Sequence, residues 1–255
     1  MKRWICQAVI AVALSMSVVS AHAEQVLVAV AANFTSVMRQ LVPPFEQQSG
    51  HRVKVSYGST GKLYAQIQNG APFELFLAAD TLRPQKALRE GLAVPDSGLT
   101  YAFGRLALWS AKAGLFDQNN GIEYLKQNAY PRLAIANPKT APYGKAALEF
   151  LQGAGVWSDV KARVVRGDSI AQTFQFVATG NAQLGFVALS QVKGWQGEQG
   201  SLWIPAEAVV PPIEQQAVLL HSGADNPAAI AFHAYLKSDQ AKGIIKAAGY
   251  GVVVK

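Results

Sequence analysis

Gly58-Ser59-Thr60-Gly61-Lys62-Leu63-Tyr64-Ala65-Gln66-Ile67-Gln68-Asn69-Gly70-Ala71-Pro72-Phe73-Glu74-Leu75-Phe76-Leu77-Ala78-Ala79-Asp80 decides the fold of this chain. It reads as a small hydroxyl-bearing loop, a short helix, a stop and a buried strand. Arg52 to Tyr57, just before it, is β-branched and alternating enough to be a strand. Ser59 and Thr60 suit a helix N-cap, Leu63 and Ile67 sit four apart on one face, and Gly70 is a natural terminator. A strand that ends in a Gly/Ser/Thr turn and opens a helix gathers free backbone N–H groups at one spot, which suits an anion.

Working outward, the same device recurs. Val26 to Ala32 is a continuous apolar run, as expected of a strand covered on both faces. Asn33 follows as the expected N-cap of a helix over Phe34 to Leu41, with a kink or a fresh helix start expected at Pro43-Pro44. Arg132 to Ala136 predicts a strand, Asn137 to Gly144 a Pro/Gly-punctuated loop, and Lys145 to Leu151 a helix stopped at Gly153. Val164 to Arg166, the turn Gly167-Asp168-Ser169 and a helix over Ile170 to Thr179 make the fourth copy. Two copies precede the long extended run Leu99 to Ser110 and two follow it.

Strands alternating with helices predict an α/β protein whose turns lie at the carboxyl ends of the strands. Leu99 to Ser110 reads as a crossing from one lobe to the other, and Ser201 to Val210 with Ile213 to Leu220 as extended chain returning. The expected division is 24–104 with 216–255 as the first lobe and 105–215 as the second, each a mainly parallel sheet flanked by helices, with a cleft between them.

Composition sets the broad class. Charged residues make up 15% and apolar residues 50%, which excludes a disordered chain. Lys2 and Arg3, the apolar run Trp4 to Val19 and Ala21-His22-Ala23 form a secretory signal with cleavage expected after Ala23. The only cysteine, Cys6, lies inside that signal, so the exported chain has neither a disulfide nor a thiol nucleophile. The formal net charge of +7 falls by two once Lys2 and Arg3 are removed. No Lys/Arg block exists that would track nucleic acid.

Taken singly, Asn33, Ser59, Thr60 and Ser169 are adequately explained as helix caps. Their arrangement carries more: four turns, all opening helices after strands, three of them without an acid. Asp168, beside the fourth, reads as a structural charge at a helix N-terminus. A cluster of N–H and O–H donors suits an anion with no proton of its own to donate, whereas hydrogen phosphate would want a carboxylate acceptor.

With these residues in view, the sequence resembles the periplasmic molybdate-binding proteins of bacterial ABC importers. The likeness rests on the AAN-F-T turn, the GSTGKLYAQI-NGAPFELFLAAD block, the NPKTAPYGKAALE loop and the LGFVALS strand, which occur in the family's order over essentially the whole mature chain. It implies a two-lobed periplasmic binding protein of type II, acting as a monomer without a cofactor, that closes on molybdate or tungstate and delivers it to a membrane permease. The resemblance places Asn33, Ser59, Thr60, Tyr143 and Ile170 on the oxyanion, the last two through their backbone N–H groups. No residue is implied as a direct metal ligand, since contacts go to the oxyanion oxygens. One position departs from the pattern. Some relatives present a tyrosine hydroxyl from the strand after the fourth unit, and here that position is Ala188. A donor is therefore missing or replaced, with the Asn33 carboxamide as the candidate replacement.

Two rival readings remain at the level of sequence. A receptor of the same architecture could serve another small oxyanion such as sulfate. Ser59-Thr60-Gly61-Lys62 is formally the S-x-x-K motif of exported acyl enzymes, yet Ser238-Asp239-Gln240 and Lys139-Thr140-Ala141 do not supply its partner motifs. The segment also fails as a phosphate-binding P-loop, because Leu63 stands where Ser/Thr is required. Lys62 reads more simply as a solvated first-turn residue. His51, His221 and His233 lack metal-ligand spacing.

Overall fold

The computed structural model describes residues 23–253. The expected signal, all but Ala23, lies outside the described residues. In order, the chain forms β1 (Gln25–Ala31), a 3₁₀ turn Ala32–Phe34, α1 (Thr35–Ser49), β2 (Arg52–Gly58), α2 (Thr60–Gln68), β3 (Leu75–Leu77), α3 (Leu82–Arg89) and β4 (Leu99–Gly104). Beyond Arg105 come β5 (Leu106–Ser110), α4 (Gly121–Gln127), β6 (Leu133–Ala136), α5 (Pro142–Gly153), α6 (Trp157–Val160), β7 (Val164–Gly167), α7 (Ile170–Ala178), β8 (Leu184–Ala188), α8 (Leu189–Lys193) and β9 (Ser201–Trp203). The chain then runs through β10 (Ile213–Leu219), α9 (Pro227–Tyr235) and α10 (Asp239–Ala247).

These strands make two five-stranded sheets, β2-β1-β3-β10-β4 and β7-β6-β8-β5-β9. In the first, β1 runs parallel to β2 and β3, and β10 lies antiparallel between β3 and β4. In the second, β6 runs parallel to β7 and β8, and β5 is antiparallel to β8 and β9. Each sheet is thus mixed: the strand that enters from the other lobe is inserted against the direction of its parallel neighbours.

The two-residue period of a strand explains why β1 is apolar throughout. Val26, Val28 and Val30 pack on one face against α1, α9 and α10, through Met38, Leu41 and Phe232. Ala29, from the opposite phase, packs against α2 with Leu63 and Ile67. Each of these valines is fully buried, which is worth about 1.5–3 kcal/mol apiece relative to exposure. The second sheet repeats the scheme. Leu133 and Ile135 face α5, while Ala134 faces α7 through Val177.

The two crossings lie side by side. Arg105 alone separates β4 from β5, and β10 starts at Ile213, directly opposite Gly104. Pro211-Pro212 cannot donate to a ladder, so the strand begins after them. Residues 213–215, placed with the second lobe by the sequence division, therefore pair in the first sheet.

Three local expectations are corrected. No fresh helix starts at Pro43-Pro44, because α1 runs through both prolines. The carbonyls they leave unpaired belong to Arg39 and Gln40, which are exposed to water. α5 starts at Pro142 rather than Lys145, since proline is well suited to the first helical position. Of the expected return run, Ser201–Trp203 and Ile213–Leu219 are strands, whereas residues 204–210 are not.

Candidate functional site

All four predicted turns meet at the carboxyl ends of β1, β2, β6 and β7, as expected for ligand sites in open α/β sheets. Ala31, Ala32 and Asn33 from the first, Gly58, Ser59 and Thr60 from the second, Ala141, Pro142 and Tyr143 from the third, and Ile170 from the fourth enclose a small cavity, closed over by Ala79. No charged side chain lines it. Its free volume of about 10 Å³ lies far below the roughly 300–1,000 Å³ typical of drug-sized ligands, which leaves no room for a sugar or peptide. A larger open groove runs along the lobe seam between α3 and α5. Unlike the small cavity, it is lined by charged side chains of both signs, Asp80, Arg83, Lys145 and Glu149.

The first-turn N–H groups of α2, α5 and α7 have no acceptor in their own helices; the Thr140 carbonyl takes that of Gly61 and the Ser169 hydroxyl that of Gln172, while those of Thr60, Tyr143 and Ile170 open on the cavity. In α2, Ser59 occupies the N-cap position but makes no cap bond. Its hydroxyl is buried and without a partner. Thr60 is the first helical residue, and its Oγ1 accepts the Ala79 N–H at 3.1 Å. That contact fixes the oxygen and leaves the hydroxyl proton to point elsewhere. In α7, Ser169 is a working cap that accepts from the Gln172 N–H at 3.3 Å, and Ile170 begins the helix behind it.

Asn33 differs from its expected role. It sits inside the 3₁₀ turn and caps nothing through its side chain. Its Nδ2 donates to Gln215 Oε1 and to Tyr250 Oη, both at 2.9 Å. Both amide protons are therefore engaged, and the carboxamide as oriented is not the replacement donor for the tyrosine absent at Ala188. Its Oδ1 is buried without a partner. Ala188 itself is fully buried, and its N–H donates to Gln191 Oε1.

Tyr143 also differs. Its hydroxyl accepts from Gln215 Nε2 at 3.3 Å across the lobes, so the side chain has a role beside the backbone. Gln215, Tyr250, Tyr101 and Ser190 were not foreseen. Tyr101 donates to Ala78 O or Gln215 Oε1. Tyr250 donates to the Asn33 carbonyl, and Ser190 donates to Tyr250. Burial, the dominant cause, pushes the Tyr250 phenol up to about 12, and it holds Tyr101 and Tyr143 well above the ordinary phenol range. The cluster is neutral at any physiological pH.

The lobes also touch at the rim. Gly61 N–H donates to the Thr140 carbonyl at 2.8 Å, an approach so close that a Cβ on Gly61 would sit 3.0 Å from the Thr140 Cα. Lys62 Nζ pairs with Asp168 Oδ2 at 3.0 Å, and Arg83 reaches the Lys139 carbonyl. Lys62 and Asp168, expected as a solvated residue and a local helix charge, form a bridge between lobes. Among the described residues no group of three or more His, Cys, Asp and Glu could hold a metal ion, and no helix is long and apolar enough to cross a membrane.

Two α/β lobes, two adjacent crossings and a neutral cavity between helix N-termini define a two-lobed binding protein of type II. A profile of bacterial extracellular solute-binding proteins matches residues 26–251. The chain is 51% identical over 245 residues to the molybdate-binding protein ModA of Azotobacter vinelandii, covering 96% of both chains. It is 46% identical over 230 residues to ModA of Rhodobacter capsulatus, covering 90% of this chain and 89% of that one. A solved Azotobacter vinelandii periplasmic molybdate-binding protein superposes with a TM-score of 0.85 at 41% identity, over 90% of this chain and 100% of that one. The chain belongs to the bacterial extracellular solute-binding proteins, as a ModA-type member. These relatives bind solutes and are not enzymes.

Proposed function

We propose that this protein binds molybdate and tungstate in the periplasm and delivers the anion as a monomer to the permease of an ABC importer. The observation that carries the reading is the uncharged cavity, into which four helix starts and two hydroxyls converge while no carboxylate does. In this assignment Ser59 and Thr60 donate through their hydroxyls and backbone, and Asn33, Tyr143 and Ile170 through backbone N–H groups. Each such bond to a charged acceptor contributes about 1.5–3 kcal/mol. A handful of them holds a dianion without a counter-charge, and the positive ends of the helices add to the field. Molybdate and tungstate share charge and tetrahedral geometry, so the same donors serve both. The names of the relatives support the choice of anion.

The test is a thermal-shift series on the chain lacking residues 1–23, with molybdate, tungstate, sulfate and phosphate at equal concentration. A ligand at 100 times its dissociation constant stabilises the fold by about 2.7 kcal/mol. The expected result is a raised melting temperature with molybdate and tungstate alone. A shift with sulfate alone would keep the cleft and change the substrate.

A further inference from the structure

We infer that Gln215 is a positioning residue that sets which end of the Asn33 carboxamide faces the oxyanion, and that lobe closure reinforces the setting through Tyr143. The inference rests on the binding reading above and adds a residue to it.

Gln215 lies on β10, and its side chain is fully buried. The β10–β4 register slips between Gln215 and Gln216, an irregularity of the kind that re-aims a side chain. It reaches both lobes at once: Oε1 accepts from Asn33 Nδ2 and from the Tyr101 hydroxyl at 3.1 Å, and Nε2 donates to Tyr143 Oη. Asn33 lines the cavity, whereas its two Nδ2 partners, Gln215 and Tyr250, do not. The carboxamide atom left over is Oδ1, a buried acceptor with no partner. Beside an anion with no proton to donate, that lone pair is repulsive, and leaving it unpaired is costly even in the empty cavity.

Turning both amides about their terminal bonds removes the conflict without moving any other heavy atom. Gln215 Nε2 then donates to Asn33 Oδ1 and to the Tyr101 oxygen, whose own proton is already within reach of Ala78 O at 3.0 Å. Gln215 Oε1 accepts the Tyr143 hydroxyl. Tyr250 keeps its bond from Ser190 and turns its one proton from the Asn33 carbonyl to Asn33 Oδ1, which now stands where Nδ2 lay 2.9 Å from its oxygen. The exchange gives up the bond from Tyr250 to the Asn33 carbonyl, and in return Asn33 Oδ1 is paired and Nδ2 occupies the unpartnered position, where it offers a donor. A fully deprotonated oxyanion selects this arrangement, and a proton-bearing one selects the other. Tyr143 belongs to the second lobe, so its proton reaches Gln215 only when the lobes are closed. The reversed pair thereby supplies the donor missing at Ala188.

The test is a double-mutant cycle on the molybdate dissociation constant, measured by calorimetry well below the melting temperature, with Gln215→Met and Asn33→Ala. Gln215→Met keeps the length of the side chain and removes its hydrogen bonds. It should weaken binding about tenfold in the otherwise native chain and less than about twofold in the Asn33→Ala background, because Gln215 acts through Asn33. In ¹⁵N-labelled native protein the Asn33 side-chain amide resonances should shift on adding molybdate, and the shift should be lost in Gln215→Met. Equal losses in both backgrounds would overturn the inference. So would a lowered melting temperature with unchanged affinity, or unmoved Asn33 resonances in native protein that binds molybdate. If the native chain binds no oxyanion at all, the functional reading itself falls, and this inference with it.

Discussion

Gly104→Ala tests whether the lobes close as the structure has them. Gly104 ends β4, one residue before the first crossing, and faces Ile213 at the start of β10. A Cβ at this position would lie 1.9 Å from Tyr143 Oη, 3.0 Å from Tyr143 Cζ and 2.6 Å from Gln215 Nε2. Ordinary contact begins near 3.4 Å, so the Tyr143 hydroxyl must retreat by about 1.5 Å. The Gln215 clash lies within the first lobe and is present whether the cleft is open or closed. The Tyr143 clash exists only when the second lobe is docked. Tyr143 is buried and rides on the first turn of α5, so its retreat carries a proposed anion-binding N–H with it. Over-packing costs about 1–3 kcal/mol, and loss of the Gln215–Tyr143 bond about 0.5–1.5 kcal/mol. The combined total of about 1.5–4.5 kcal/mol falls mainly on the closed state and predicts molybdate affinity weakened roughly 10- to 2,000-fold. Calorimetric titration alongside melting of the free protein separates the states. Adding Tyr143→Phe should recover part of the affinity by removing the obstructing oxygen. Affinity within about threefold of native in Gly104→Ala would refute the argument, because Tyr143 would then yield without disturbing closure. A loss of free-protein stability as large as the loss of binding energy would refute it too, by placing the strain in the open form.

Ser59→Ala removes a buried hydroxyl with no partner, so the free protein should melt at or above the native temperature while molybdate binding weakens about tenfold or more. Thr60→Ala should weaken binding similarly but also lower the melting temperature, since the Ala79 N–H loses its acceptor. Lys62→Ala breaks a rim pair whose side chains are 51% and 70% exposed. Affinity should fall less than about threefold near physiological salt, and the difference should vanish at high salt. Alkaline pH should destabilise the fold through the buried phenols. Tyr250 ionises near 10 when unfolded and near 12 when folded, so its contribution is complete below pH 10 and drains away as pH rises to 12. That is about 3 kcal/mol from Tyr250, with Tyr101 and Tyr143 acting in the same direction. Urea unfolding at pH 9, 10 and 11 should show the decline, and a flat profile would refute it.

What could be read from the sequence was local. The alternation of apolar β1 with a polar turn and an amphipathic α1, repeated at β2, β6 and β7, needs only neighbouring residues to be recognised. Leu99 to Ser110 announced a crossing because no single strand of a small lobe is that long. The direction in which β5 and β10 insert depends on partners far away in the chain and leaves no local mark. The site divides along the same line. Ser59, Thr60, Tyr143 and Ile170 sit in turns with their own signatures. Gln215 is one of two adjacent glutamines in an extended run, and only the slipped register turns it inward. The role of Asn33 was misread for a related reason: an asparagine before a helix signals a cap, but Gln215 and Tyr250 bind its amide more favourably than its own turn does.

The bond between Asn33 and Tyr250 spans 217 residues. Closing a loop of that length costs about 2 kcal/mol more in chain entropy than closing one of about 20 residues, so this contact forms after the local β–turn–helix units. A ribosome that has delivered the first lobe's early strands, or even both complete sheets, has not yet delivered the residue that fixes the first turn of the cavity. A nascent or still-unfolded chain therefore has no means of sequestering its own cargo during synthesis and passage. Capture begins only when the finished polypeptide has folded as a whole.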